Sequence, residues 1–170
     1  MKIRFSHVAL IGYFGCFLLF VAGLGANWIR TKEPPEQPIA FPHTIHVSRL
    51  GLSCNFCHLY VDKGKRATAP PLEKCMSCHK SVAKEKPEIQ KLTGYYERRQ
   101  PIHWNRIHFL PPFVYFTHKR HIKAGIDCSA CHGEIGSMVR VRRVRSLEMG
   151  WCITCHRSKG APHDCSTCHQ

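Results

Sequence analysis

Acidic side chains are scarce in this 170-residue chain: 11 Asp and Glu stand against 25 Lys and Arg, a formal charge of +14. That balance excludes a partner selected for positive charge. Taken alone it points to an anionic one, a nucleic acid or an acidic membrane surface. A second scarcity is local. Val8 to Ile29 runs 22 residues without a charged side chain. As a helix this stretch is about 33 Å long, enough to cross a bilayer. A cleaved signal peptide has a shorter apolar region, about 7–15 residues, and Leu24 in Leu24-Gly25-Ala26 is bulky where a cleavage site wants a small side chain. An uncleaved anchor is therefore expected. Lys2 and Arg4 mark residues 1–7 as cytoplasmic. Cys16, inside the helix, reads as a small apolar filler, since Tyr13-Phe14-Gly15 is no lipobox. Gly12, Gly15, Gly23 and Gly25 would let a partner helix approach closely. Thr31 to Pro42 contains Pro34, Pro35, Pro38 and Pro42 and reads as a stiff, extended spacer.

What the rest of the chain has is one word spelled five times. Cys-x-x-Cys-His occurs at Cys54-Cys57-His58, Cys75-Cys78-His79, Cys128-Cys131-His132, Cys152-Cys155-His156 and Cys165-Cys168-His169, using ten of the eleven cysteines. The word reads as a c-type haem attachment site. Two thiols each add to one vinyl group of a single porphyrin, which sets their spacing, and the adjacent histidine lies under the ring as an iron ligand. Zinc knuckles and disulfides also use paired cysteines, but neither accounts for five histidines placed directly after the second cysteine. Five covalently bound haem c groups are expected, held by Cys54, Cys57, Cys75, Cys78, Cys128, Cys131, Cys152, Cys155, Cys165 and Cys168. The proximal iron ligands are then His58, His79, His132, His156 and His169. Roughly 28 residues per haem are too few to build a large apolar core from side chains alone. The porphyrins must serve as the core, and folding should depend on their attachment. Their propionates, about ten negative charges, leave roughly +4 of the formal charge. Nucleic acid is therefore excluded as a partner, because the charge that would attract it is already matched.

An internal repeat surrounds the words. Phe41-x-His43-x-x-His46 precedes Gly51 and Cys54, and Phe116-x-His118-x-x-His121 precedes Gly125 and Cys128. The next word follows 21 residues after Cys54 and 24 after Cys128. Histidines at i and i+3 project from neighbouring faces of one helical turn and can ligate two different irons. His43, His46, His118 and His121 are thus distal candidates. The connector between the units holds Tyr95, Tyr96, Trp104 and Phe109, which look like packing around haem or a partner, and His103 and His108, either of which could be a distal ligand. Val139 to Arg145 alternates with period two and predicts a short half-exposed strand. Met138 and Met149 flank it; each is a candidate axial ligand or a core filler.

The run Trp104-Asn105-Arg106-Ile107-His108-Phe109-Leu110-Pro111, the F-x-H-x-x-H of Phe116 to His121, and Ser146-Leu147-Glu148-Met149-Gly150-Trp151-Cys152 resemble the pentahaem subunit of alternative complex III, a class III-like multihaem cytochrome c. The resemblance covers nearly the whole chain. It implies an electron-transfer subunit, not itself an enzyme and without catalytic residues, within a membrane quinol-oxidising complex. Its partners would be an iron–sulfur protein, integral membrane subunits, and a monohaem cytochrome c or other soluble carrier that takes the electrons. It also adds His163 to His43, His46, His118, His121, His108, Met149 and Met138 as distal candidates. A membrane-anchored multihaem quinol dehydrogenase feeding a periplasmic reductase is the alternative, though such proteins typically place a Met soon after the first word, where Leu59-Tyr60-Val61 stands here.

The expected fold is a multihaem cytochrome c: a few short helices and long loops wrapped around haems, almost no sheet, and one N-terminal transmembrane helix. The expected organisation is a cytoplasmic N-terminus (1–7), an anchor in the cytoplasmic membrane (8–29), a Pro-rich spacer (30–42) and a periplasmic pentahaem domain (43–170). Within that domain a first dihaem unit (43–80), a connector (81–115), a second dihaem unit (116–157) and a fifth haem (158–170) follow in order.

Overall fold

The computed structural model describes residues 5–30 and 33–169. The expected cytoplasmic residues Lys2 and Arg4, and residues 31–32 of the spacer, lie outside the described residues. The chain divides into two units, Met1–Glu33 and Pro34–Gln170. Helix α1, Phe5–Arg30, dominates the first. From Val8 to Asn27 it is apolar on every side, and every side chain in that span is exposed. A helix apolar all round needs either a large protein core or lipid around it. Its length and composition fit a single-pass span.

The second unit is built from short helices and loops, with no strand among the described residues. A π-helix spans Thr44–Arg49; α2 is Cys54–Cys57, α3 Leu72–His79, α4 Pro87–Glu97, α5 His118–Lys123 and α6 Cys128–His132. A 3-10 turn covers Ile135–Ser137, and α7, Met149–Ser158, and α8, Cys165–Cys168, complete the order. The predicted strand at Val139–Arg145 is absent: the segment is irregular, and Val139 is 68% exposed. Alternation places side chains on two faces, but a strand also needs a neighbouring backbone to pair with, and residues 139–145 make no backbone–backbone hydrogen bond among the described residues.

Only Ile39, Met76 and Leu92 are buried apolar side chains among the described residues. They meet where α3 packs on α4, ringed by Leu72, Ile89, Tyr95, Tyr96, Ile102 and Trp104. Helix α4 starts on Pro87, whose fixed φ suits the first helical position. Its Glu88 accepts the Ala40 N–H at 2.6 Å and pairs with Lys91. Residues 34–42, read from the sequence as a spacer, lie against this core. Gln37 exchanges two hydrogen bonds with the Asn105 backbone, at 2.8 and 2.9 Å, while Asn105 donates to Glu36 O, and Ile39 fills the core. The prolines keep the strap extended, and Ile39, Gln37 and the main-chain groups of Ala40 and Glu36 fix it in place.

The π-helix and the 3-10 turn pack directly on one another. Ser48 Oγ donates to Gly136 O at 2.7 Å. A Cβ at Gly136 would lie 2.8 Å from Ser48 Oγ and 3.2 Å from Val47, so the approach requires glycine. The first histidine pair is thereby held against the segment that follows the third Cys-x-x-Cys-His word.

Candidate functional site

Each of the five words sits on a helical turn. In α2, α6 and α8 the turn is little more than the word itself; in α3 and α7 the word lies further along a longer helix. A helical turn puts both cysteines, three apart, on one face with the histidine beside them. Asp127 caps α6 by accepting from Ser129 N and Oγ at 2.8 and 2.6 Å. Asp164 caps α8 by accepting from Ser166 Oγ at 2.7 Å and Thr167 N at 3.2 Å. These bonds hold both carboxyls below the usual aspartate range, the serine hydroxyls contributing most.

All eleven cysteines are unpaired, and among the described residues no three His, Cys, Asp or Glu side chains converge as a metal cage. Burial raises the pKa of Cys57, Cys75, Cys128, Cys131 and Cys152, keeping them as thiols. Cysteines of other words add to the rise: Cys57 beside Cys75, Cys54 beside Cys128, Cys155 beside Cys131, and Cys168 beside Cys152. The words therefore lie near one another in the order second, first, third, fourth, fifth.

The word histidines share a second feature. His58 Nδ1 meets Thr68 O at 2.6 Å, His79 Nδ1 meets Val82 O at 3.1 Å, His156 Nδ1 meets Pro162 O, and His169 Nδ1 meets Phe113 O at 3.2 Å. A neutral imidazole that donates from Nδ1 turns an unprotonated Nε2 outward, as an iron ligand must. His132 is the exception: its Nδ1 meets His108 Nε2 at 3.3 Å. The donor set fits haem c. It offers pairs of free thiols on one helical face, each with an imidazole of fixed tautomer beside it.

The two F-x-H-x-x-H segments are structural copies although one turn is π and the other α. Phe41 lies edge-on to His43 and stacks on His46 at 4.3 Å; Phe116 lies edge-on to His118 and 4.7 Å from His121. The second histidine of each pair bonds the carbonyl four residues back, His46 to Pro42 O and His121 to Thr117 O. His46 faces His79 with ring centroids 6.2 Å apart, and His121 faces His156 at 6.0 Å. His118 faces His132 at 6.2 Å with planes 11° apart. His43 Nδ1 is buried without a partner among the described residues, and burial, with His58 and His46 nearby, lowers its pKa to about 4. Burial, then His108, His118 and His58, likewise lowers His132 to about 4, so both rings are neutral at neutral pH.

The other expected distal candidates are spread out. His108 lies behind His132. Met138 packs near Gly133, whose φ of +69° lets the chain turn directly after His132. Met149 is 66% exposed at the start of α7. His163 Nδ1 meets Ala161 O. His103, the connector's other candidate, is exposed. Sequence reasoning missed the carbonyls of Thr68, Val82, Pro162 and Phe113. Any residue supplies a carbonyl, so only the path of the backbone marks them. Thr68 alone leaves a trace, a β-branched residue at φ +57°, a strained conformation that aims its carbonyl at His58.

Comparison with known proteins agrees with this geometry. Residues 114–170 match the family of cytochrome c7 and related cytochromes c. Over 91% of its length the chain is 24% identical to the menaquinone reductase multiheme cytochrome c subunit of Nitratidesulfovibrio vulgaris, covering 88% of that protein. The fold is that of a multihaem cytochrome domain, with short helices and loops, no strand among the described residues, and one N-terminal apolar helix that could span a membrane. The matched family and this relative are both described as c-type cytochromes.

Proposed function

We propose that the chain is the pentahaem electron-transfer subunit of a membrane quinol-oxidising complex of the alternative complex III type. Its single anchor lies in the cytoplasmic membrane with the haem domain on the periplasmic side. The observation that carries the haem assignment is the spacing of the histidines. Two imidazoles bound to opposite sides of one metal ion, each at about 2.0–2.1 Å, put their ring centroids roughly 6 Å apart. His46–His79, His118–His132 and His121–His156 have that spacing.

A pairing rule follows. In each unit the first histidine of the H-x-x-H pair serves the first word and the second serves the second word. His43, whose buried ring lies near His58, completes the first. The fifth iron, at His169, takes Met149: Met149 sits one turn before Cys152, and Cys152 lies beside Cys168.

The bound haems supply one-electron chemistry, with iron alternating between ferric and ferrous. The chain's residues hold the groups covalently and fix the tautomer of each proximal ring. With a second side chain for each word, as paired above, a bound haem would leave substrate no open position, which suits transfer rather than catalysis. Electrons enter from quinol-oxidising subunits, including an iron–sulfur protein, and leave to a monohaem cytochrome c or another soluble carrier.

The relative from Nitratidesulfovibrio vulgaris bears the name of a menaquinone reductase, and this supports a second reading in which the same wire carries electrons toward quinone. Purification from native membranes in mild detergent, followed by mixing with a quinol or a quinone, separates the two. Haem reduction by quinol at a physiological rate supports the first reading. Haem oxidation by quinone, with no reduction by quinol, supports the second. Purification as a lone chain without quinone-reactive partners would defeat both.

A further inference from the structure

His132 is the one word histidine whose Nδ1 meets another imidazole. Its four counterparts meet main-chain oxygens, which are neutral, weakly basic acceptors fixed by the fold. His108 comes from the connector, 24 residues before His132 in the chain, and its ring lies at 83° to that of His132 with centroids 4.4 Å apart. The 83° angle suits a hydrogen bond made end-on by one ring to the other and is far from stacking. His118 stands on another side of His132, with centroids 6.2 Å apart and nearly parallel planes. His132 is thus flanked by two imidazoles at two different distances, and its Nδ1 faces the nearer.

We propose that His108 is a positioning residue for the haem at Cys128 and Cys131, accepting the Nδ1–H of His132 and thereby setting that haem apart from the other four. The inference rests on the haem reading above. With Nε2 given to iron, a neutral His132 carries its proton on Nδ1 and must donate. An imidazole nitrogen is a stronger base than an amide oxygen. It draws the Nδ1 proton more strongly and makes His132 a more electron-rich ligand, which favours ferric iron. The third haem is therefore held at a lower potential than the same site would have with no such acceptor. By the neighbour order of the cysteines the third word is the member of the second unit that lies beside the first unit, where electrons would cross from one pair of haems to the other. An adjustable side chain at that junction can set how readily charge crosses it.

The test uses the full-length, haem-loaded chain carrying His108→Leu or His108→Asn. Asn keeps an acceptor oxygen on a side chain of similar reach. In the Leu variant five haems remain and all stay low-spin, with no carbon monoxide binding. One of the five redox transitions moves up, by about threefold to tenfold in ferrous-to-ferric ratio at fixed potential, tenfold being ~59 mV for one electron. In the Asn variant the same transition returns part of the way. Five unmoved transitions in the Leu variant would make His108 a packing residue and overturn the proposal. A new high-spin haem that binds carbon monoxide would make His108 an axial ligand and overturn it equally. Loss of one haem in both variants would show a merely structural role. A wild-type chain without haem would instead defeat the functional reading on which the proposal rests.

Discussion

His58 and His118 hang from the same loop. Thr68 O accepts from His58 Nδ1, and three residues earlier Lys65 O meets His118 Nδ1 at 2.8 Å. Thr117 Oγ1 donates to Gly64 O, and the backbone N–H of Lys119 bonds the same oxygen. Residues 64–68 therefore bind the first haem word to the second histidine pair, joining the two repeated units through main-chain atoms. In the proposed ligation His58 serves the first iron and His118 the third, so one short loop orients a ligand on each.

The pairing rule makes a sharp prediction for the second histidines. His121→Ala should open the iron at His156 and leave the iron at His132 six-coordinate. One haem of five then becomes high-spin and binds carbon monoxide. Its identity is checked by His118→Ala, which should open a different haem, at His132. Loss of the same one of the five redox transitions in both variants would defeat the rule.

Met149 is expected to ligate the fifth iron. Met149→Leu should open one haem, raise no other spectral feature, and remove the weak far-red band of a methionine-bound ferric haem. Met149→His should restore a low-spin haem at lower potential, since Met ligation raises the potential relative to His. Unchanged spectra in the Leu variant would return the site to His108, His163 or Met138.

The apolar core holds three buried side chains, so each matters. Leu92→Ala removes most of one side from the α3–α4 contact and should cost about 2–5 kcal/mol. Chemical denaturation of the haem-loaded protein measures it. Because His79 lies on α3, the second haem should loosen before the others. Gly136→Val should cost about 1–3 kcal/mol by forcing the π-helix off the 3-10 turn, loosening His43 and His46 without touching either.

The capping carboxylates give a pH dependence of known sign. The folded-state pKa of Asp127 and of Asp164 lies below the ordinary aspartate value of about 3.9. Their contribution is complete above that value and is lost as pH falls through the lowered one. The Asp127→Asn, Asp164→Asn double variant should have a lower thermal midpoint than the wild type at pH 6. The difference should shrink below pH 4. A difference that stays constant down to pH 2 would show that the caps act without their charge.

The sequence displays what repeats and what is chemically rare. Five Cys-x-x-Cys-His words and two F-x-H-x-x-H segments stand out because few residue types can do their work at fixed spacing. The anchor is legible because 22 uncharged residues have few other uses. Which histidine faces which was not legible, since that depends on loops such as 64–68 closing over long separations in sequence. The hold of residues 34–42 on the domain was hidden because it rests on one isoleucine, one glutamine and two main-chain groups, the Ala40 N–H and the Glu36 carbonyl, among prolines. The strand expected at Val139–Arg145 failed for a related reason: alternation was present, but backbone–backbone hydrogen bonding among the described residues was not. The role proposed for His108 emerges only when five Nδ1 partners are compared in space.

The central claim is that each word carries its own porphyrin. The intact mass of the purified chain tests it directly. The account predicts one species, at the polypeptide mass plus five haems. The mass of the bare polypeptide, or a homogeneous species with fewer than five, would contradict it.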